Sequence, residues 1–190
     1  MNMLEKYEYA KFAIINAAQA FKADIKGLSG VEFALIAPML IGIYLGVAET
    51  ALGVTNSRKV SRVAATLADL VSQSESITGA QVDGIMNASS AVMEPYSSAG
   101  LKIHVVGVQM DNNAVARVVW SRKKGNTSAP GVGSIYPIPV NIKIANSFLI
   151  VTKVTFDYSP ALGANLVDTF YFNEINYNVP RTSSTVGFSN

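Results

Sequence analysis

Cysteine is absent from this chain. That excludes a disulfide framework, thiol catalysis and cysteine-ligated zinc. Histidine occurs once, at His104, so a metal site there has no second imidazole; a surface or core-edge histidine is the better reading. Charge is sparse, 15% of residues with a net of +2, too small an excess to mark a nucleic-acid partner. Glycine-rich phosphate loops are missing. Gly131-Val-Gly133 lacks both the third glycine and the following helix of a dinucleotide turn. Ser72 and Ser159 have no plausible base, so a serine nucleophile is unsupported. Asp157 and Asp168 would be the pair for a two-carboxylate site, but isolated strand-end carboxylates are ordinarily solvated. We expect no enzyme, no cofactor and no metal.

What the chain does have is apolar length. Hydrophobic residues make up 49% of it and mean hydropathy is +0.28. One membrane span plus one modest domain fits that balance. Between Glu32 and Glu49 lie sixteen residues without a charge, about 24 Å of helix. Counting from Leu28 gives about 31 Å, enough for a hydrocarbon core of about 30 Å. Eight of the sixteen are Phe, Leu, Ile or Val, contributing on the order of −4 kcal/mol to insertion. Pro38 falls in the second turn of a helix starting near Leu35, or kinks one starting at Leu28. Gly42 and Gly46 form G-x-x-x-G, and Glu49 falls on nearly the same face. Small residues there let another helix approach closely.

The longer count puts Glu32 at the bilayer edge, where a carboxylate needs a reason. A cut between Gly27 and Leu28 would make Glu32 the fifth residue of a new N-terminus, with Phe33 sixth. Gly27, Leu28, Glu32 and Phe33 thus form one constellation, which resembles the processing site of type IV and Flp-type pilins. The run Ser29-Gly-Val-Glu-Phe-Ala-Leu-Ile-Ala-Pro38, with Gly46-Val-Ala-Glu49, resembles the TadE/TadG family of pseudopilins from tight-adherence (Tad) pilus systems. The specific match covers about residues 27–49 and extends loosely to Val118-Val-Trp-Ser-Arg122. The resemblance implies a pseudopilin in an inner membrane, with a cytoplasmic N-terminus and a periplasmic C-terminal domain. Its implied partners are the membrane, a prepilin peptidase, other pilin or pseudopilin subunits and Tad assembly proteins, and no nucleic acid. Two other fates stay open: an uncleaved membrane-anchored adaptor, and a domain released by signal peptidase after Gly46-Val-Ala48. Against release, the apolar run and the region before it are both long for a signal sequence.

Arg58, Lys59 and Arg62 follow the span while Lys22 and Lys26 precede it. The positive-inside count therefore leans slightly against export. We set it aside because residues 54–73 read as a continuing helix that carries those charges along a rod, and because of the resemblance.

The expected organisation follows. Residues 1–27 form a cytoplasmic leader, cleaved or retained, read either as a short amphipathic helix on the membrane surface or as a weakly ordered segment. Residues 28–53 form the span, 54–180 an α+β domain, and 181–190 a flexible tail. In 54–73 the stripe Val60, Val63, Ala64, Leu67, Leu70 and Val71 predicts a helix that packs on a sheet. Thr78 caps a second helix near Ala80–Met93, with Val82, Ile85, Met86, Ser89 and Met93 on one side. Strands are expected at 102–110, 116–121, 147–158 and 169–178, the first two as a hairpin across Asp111-Asn-Asn113. Trp120 should anchor in the core, with Arg117, Arg122, Lys123 and Lys124 at a solvated hairpin tip; the alternative for this group is a partner-binding patch. Gly125–Asn141 reads as a long loop of undetermined role. The fold class is therefore α+β: a long N-terminal helix, a second short helix and an antiparallel sheet of about four strands, pilin-like by the resemblance.

Overall fold

The computed structural model describes residues 3–23, 26–160 and 169–189. The chain divides into two compact units, Met1–Ala48 and Glu49–Asn190. The first holds helix α1 (Met3–Ala23) and the beginning of helix α2 (Lys26–Ser72). Helix α2 starts at Lys26, not near Leu35, and runs through Pro38 as one element. The missing amide of Pro38 deprives one carbonyl a turn earlier of its partner, and the helix continues on the bonds either side.

In the second unit, α2 is amphipathic. Val60, Val63, Ala64, Leu67 and Val71 are fully buried, while Leu70 is exposed. The helix stops where Ser72–Ser76 begins. Strand β1 (Ser76–Thr78) then leads into helix α3 (Gly79–Ser90), continued by one tight turn over Ala91–Met93. Thr78 caps α3 as expected. Its hydroxyl accepts the Gln81 amide at 3.2 Å while the Gln81 side chain accepts the Thr78 amide at 2.8 Å, the reciprocal arrangement of a capping box. Strands β2 (Leu101–Met110), β3 (Ala116–Lys124), β4 (Phe148–Tyr158) and β5 (Phe170–Asn178) form an antiparallel sheet in the order β3-β2-β4-β5. The fold is α+β, with the long helix, the short helix and the four strands that the sequence patterning implies.

One face of the sheet packs on α2 and α3 through Ile103, Val105, Phe148, Ile150 and Val154. The other face carries a smaller core of Val106, Val108, Met110, Val118, Leu149 and Val151, closed by Ile138. Strand order explains the long loop. Strands β3 and β4 both run antiparallel to β2, so they are parallel to each other. The chain must return the length of the sheet, about 30 Å for nine residues, to start β4. On the way, residues 133–136 bond the open edge of β3: Val118 donates to Ser134, and Gly133 and Tyr136 donate to Val118 and Ala116. That edge is thereby protected.

A register shift at Gly107/Val108 sets Gly107 opposite Trp120 and Val108 opposite Val118, leaving Val119 as the extra residue of a bulge. The bulge turns Trp120 towards the helices. There it is 2% exposed, stacks on Phe188 at 5.2 Å between ring centroids, and donates its indole N–H to the Val186 carbonyl at 3.1 Å.

The last residues are not the flexible tail that their composition suggests. Strand β6 (Gly187–Ser189) pairs in parallel with β1. Arg181 donates its amide to Ser72 and pairs with Asp69 at 2.5 Å, and Val186 is buried. The backbone partners and the underside of Trp120 hold this segment, and neither is local in sequence.

Gly107 is where this packing is tightest. A Cβ there would lie 2.4 Å from the Trp120 indole and 2.9 Å from Phe148. Gly107→Ala should therefore destabilise the domain by about 1–3 kcal/mol, as overpacking does. Denaturant unfolding of the full chain in detergent, followed by the fluorescence of its single tryptophan, should show the lower midpoint; an unchanged midpoint would mean that Trp120 moves aside at no cost.

Candidate functional site

The residues singled out in the N-terminal half all lie on α2. Gly27 and Leu28 are in its first turn, directly after Lys26. The first four amides of a helix lack intrahelical partners, so this turn is the easiest part of α2 to open. Glu32 and Phe33 are both exposed, Phe33 at 70%. From Gly30 the helix carries a stretch of mean hydropathy 2.0 in which no residue is buried. Val31, Leu35, Ile36, Met39, Leu40, Ile41, Ile43 and Tyr44 are all more than half exposed. An uncompensated apolar surface of this size marks a segment that meets lipid or other protein. Among the described residues α2 is the one helix long and apolar enough to cross a membrane. A Cβ built on Gly42 or Gly46 meets nothing within 4 Å, so both glycines are open to an incoming helix.

Glu49 has a partner in its own domain. It is half-buried and accepts the Tyr158 hydroxyl at 2.9 Å. Gly53, one turn on, lies beneath the same ring, its Cβ position 3.9 Å from Tyr158. Tyr158 also packs on Phe172, 5.8 Å between centroids. Burial first, then the hydrogen bond and the charge of Glu49, push the Tyr158 hydroxyl up to about 12. Sequence reasoning placed Glu49 with the lateral glycine face. The tyrosine is 109 residues away, and no local pattern announces it. Lys59 braces the same region, donating to the carbonyls of Val92 at 3.0 Å and Glu94 at 2.5 Å.

The other candidates resolve simply. The tip of the β2–β3 hairpin is Asp111–Val115, where the Asp111 side chain accepts the amides of Asn113 and Val115 at 2.9 Å each. The basic group after Trp120 therefore sits at the far end of β3. Arg122 is paired with Asp83, and Lys124 donates to Ser90 at 2.7 Å. The Ser72 hydroxyl donates to the Asp69 carbonyl at 2.8 Å. Asp157 is paired with Lys102 at 2.6 Å, and Asp168 lies outside the described residues. His104 lies 2.9 Å from the Thr127 hydroxyl. Among the described residues no group of three or more His, Asp or Glu is placed to hold a metal ion.

No protein-family model, no curated protein and no solved structure matches this chain.

The Glu49–Tyr158 contact makes a pH prediction. A raised tyrosine pKa means that folding favours the protonated phenol. Its contribution is complete below pH 10, the unfolded value, and is lost as pH rises through about 12. Tyr158→Phe should cost about 1 kcal/mol near neutral pH and flatten the alkaline loss. Thermal unfolding of the two proteins at neutral and alkaline pH checks both; parallel losses would assign the alkaline sensitivity to other groups.

Proposed function

We propose that this chain is a pilin-like, single-pass membrane protein of a Tad-class type IV pilus system, a minor subunit at the filament's tip or base. What carries this reading is α2 itself. One helix presents an uncharged apolar run in which no residue is buried and then an amphipathic stretch whose stripe is buried under an antiparallel sheet. A helix of this kind can be held in lipid, exchange lipid for neighbouring helices during assembly, and still belong to a folded domain. The Gly27–Leu28–Glu32–Phe33 constellation and the TadE/TadG resemblance supply the family. In this reading the inner membrane holds the apolar run and the periplasm receives the domain. A prepilin peptidase cuts after Gly27, and Gly42 and Gly46 face a neighbouring helix.

A second reading, an uncleaved membrane-anchored adaptor of the same machine, is favoured by one observation. The Gly27–Leu28 bond lies inside a helix, whereas a peptidase needs extended backbone, so cleavage requires the first turn to unwind. N-terminal sequencing of the membrane-resident protein separates the readings. The pilin-like subunit begins at Leu28, the adaptor near Met1, and a released domain at Glu49.

Glu32→Gln tests the role of the carboxylate. The uncharged side chain should insert at least as well. It cannot pair as an anion with an α-amine on Leu28 of its own or a neighbouring chain, and stranding one partner in a low dielectric costs several kcal/mol. Membrane fractionation should find normal protein levels, and a surface count should find few pili. Normal piliation would remove the pilin-like reading and favour the adaptor.

A further inference from the structure

The outer face of the sheet, the one turned away from the helices, carries a row of basic side chains. Lys123 on β3 is directly opposite His104 on β2, and His104 is directly opposite Lys153 on β4. The three side chains therefore form one row across three adjacent strands, spanning two strand spacings or about 10 Å. A proton on His104 would set like charges directly opposite one another across both strand pairs, which is destabilising. Lys123 is exposed, and His104 and Lys153 are half-exposed. The crossing loop contributes the Thr127 hydroxyl to His104 and the Thr127 carbonyl to Lys123, the latter at 2.7 Å. No carboxylate among the described residues pairs with Lys123 or Lys153. Burial first, then Lys153 and Lys123, hold the imidazole below its usual 6.5.

The next row along the same face shows what this row lacks. There Lys102 is neutralised by Asp157 at 2.6 Å. The end of the face carrying Val106, Val151 and Tyr177 is closed by the chain's own loop, which meets the basic row through Thr127 and leaves Lys123 exposed and Lys153 half-exposed.

We propose that the Lys123–His104–Lys153 row is a docking surface for a carboxylate-rich segment of a partner protein. Charge complementarity argues for the occupant, because an incoming Asp or Glu repeats the pairing that Lys102 already makes. The row is too short, and the chain's net charge of +2 too small, for the run of phosphates on a nucleic acid. It has no arginine fork and no helix N-terminus, the features that select phosphate. The surface belongs wholly to the second unit and stands whether or not the leader is cut.

Proton linkage follows from the geometry. The groups facing His104 are Lys123, Lys153 and Thr127, with the Lys102–Asp157 pair one row along. All three close neighbours disfavour or are neutral to a charged imidazole, whereas an added carboxylate favours it. Binding should therefore raise the His104 pKa, and affinity should rise as pH falls from about 7 towards 5, above the range where glutamates protonate.

His104 is the sole histidine, so its imidazole resonance reports on the row alone. The experiment is a titration of the full-length protein in detergent with a hexaglutamate peptide, and in parallel with inorganic phosphate and a short DNA duplex. Hexaglutamate should move the His104 titration upward. Lys123→Gln and Lys153→Gln should each weaken that binding about three- to five-fold. An unmoved histidine, or Lys variants that bind as the parent does, overturns the proposal. So does phosphate or DNA acting as strongly as the peptide, because the row would then read phosphate.

Discussion

The burial of one stripe of α2 beneath the sheet is the constraint on which the domain depends. Val60, Val63, Ala64, Leu67 and Val71 leave no exposed surface, and they give one face of β2 and β4 something to pack on. At roughly 1.5–3 kcal/mol for each large aliphatic side chain, this stripe is among the larger favourable contributions to the domain. It also fixes which face of every strand is inside. Ile103, Val105, Ile150 and Val154 point to the helix, and their alternating neighbours must face out.

Everything on the outer face follows from that choice. Part of it became a second small core because the return from β3 to β4 has to cross there. The rest stayed polar, and the basic row lies on it beside Thr127 of the crossing loop. The bulge at Val119 is the device that lets one strand serve both cores. Ala116 and Val118 belong to the outer core, while Trp120 turns to the inner one. Without the extra residue Trp120 would face the crossing loop, and the chain's end would lose its anchor.

The proposed function draws on a different property of the same helix. The run from Gly30 has no charge to spare for solvent except Glu32 at its start. It is long and apolar enough to cross a membrane, and the proposed function uses that property. The Glu49–Tyr158 bond lies where the folded domain begins along the chain, so the first residue of that domain is held by one of its strands.

Much of this was determined by the sequence alone. Periodicity near 3.6 and near 2 located α2, α3 and the four long strands to within a few residues, because those patterns are what burial of one face requires. Thr78 announced a helix start for the same local reason, and the structure adds Gln81 as its reciprocal partner. The Gly27–Leu28–Glu32–Phe33 spacing, on which the proposed cut rests, could be read because it lies within one short stretch of the chain. What only the tertiary structure decided was long-range. The three-residue strands β1 and β6 are too short to show a pattern, and each exists because the other supplies its hydrogen bonds. The partner of Glu49, the bulge that aims Trp120 and the purpose of the 125–141 loop depend on strand order. The alignment of Lys123, His104 and Lys153 depends on register. No local composition carries either quantity, because both are set by residues far apart that meet only once the sheet has formed.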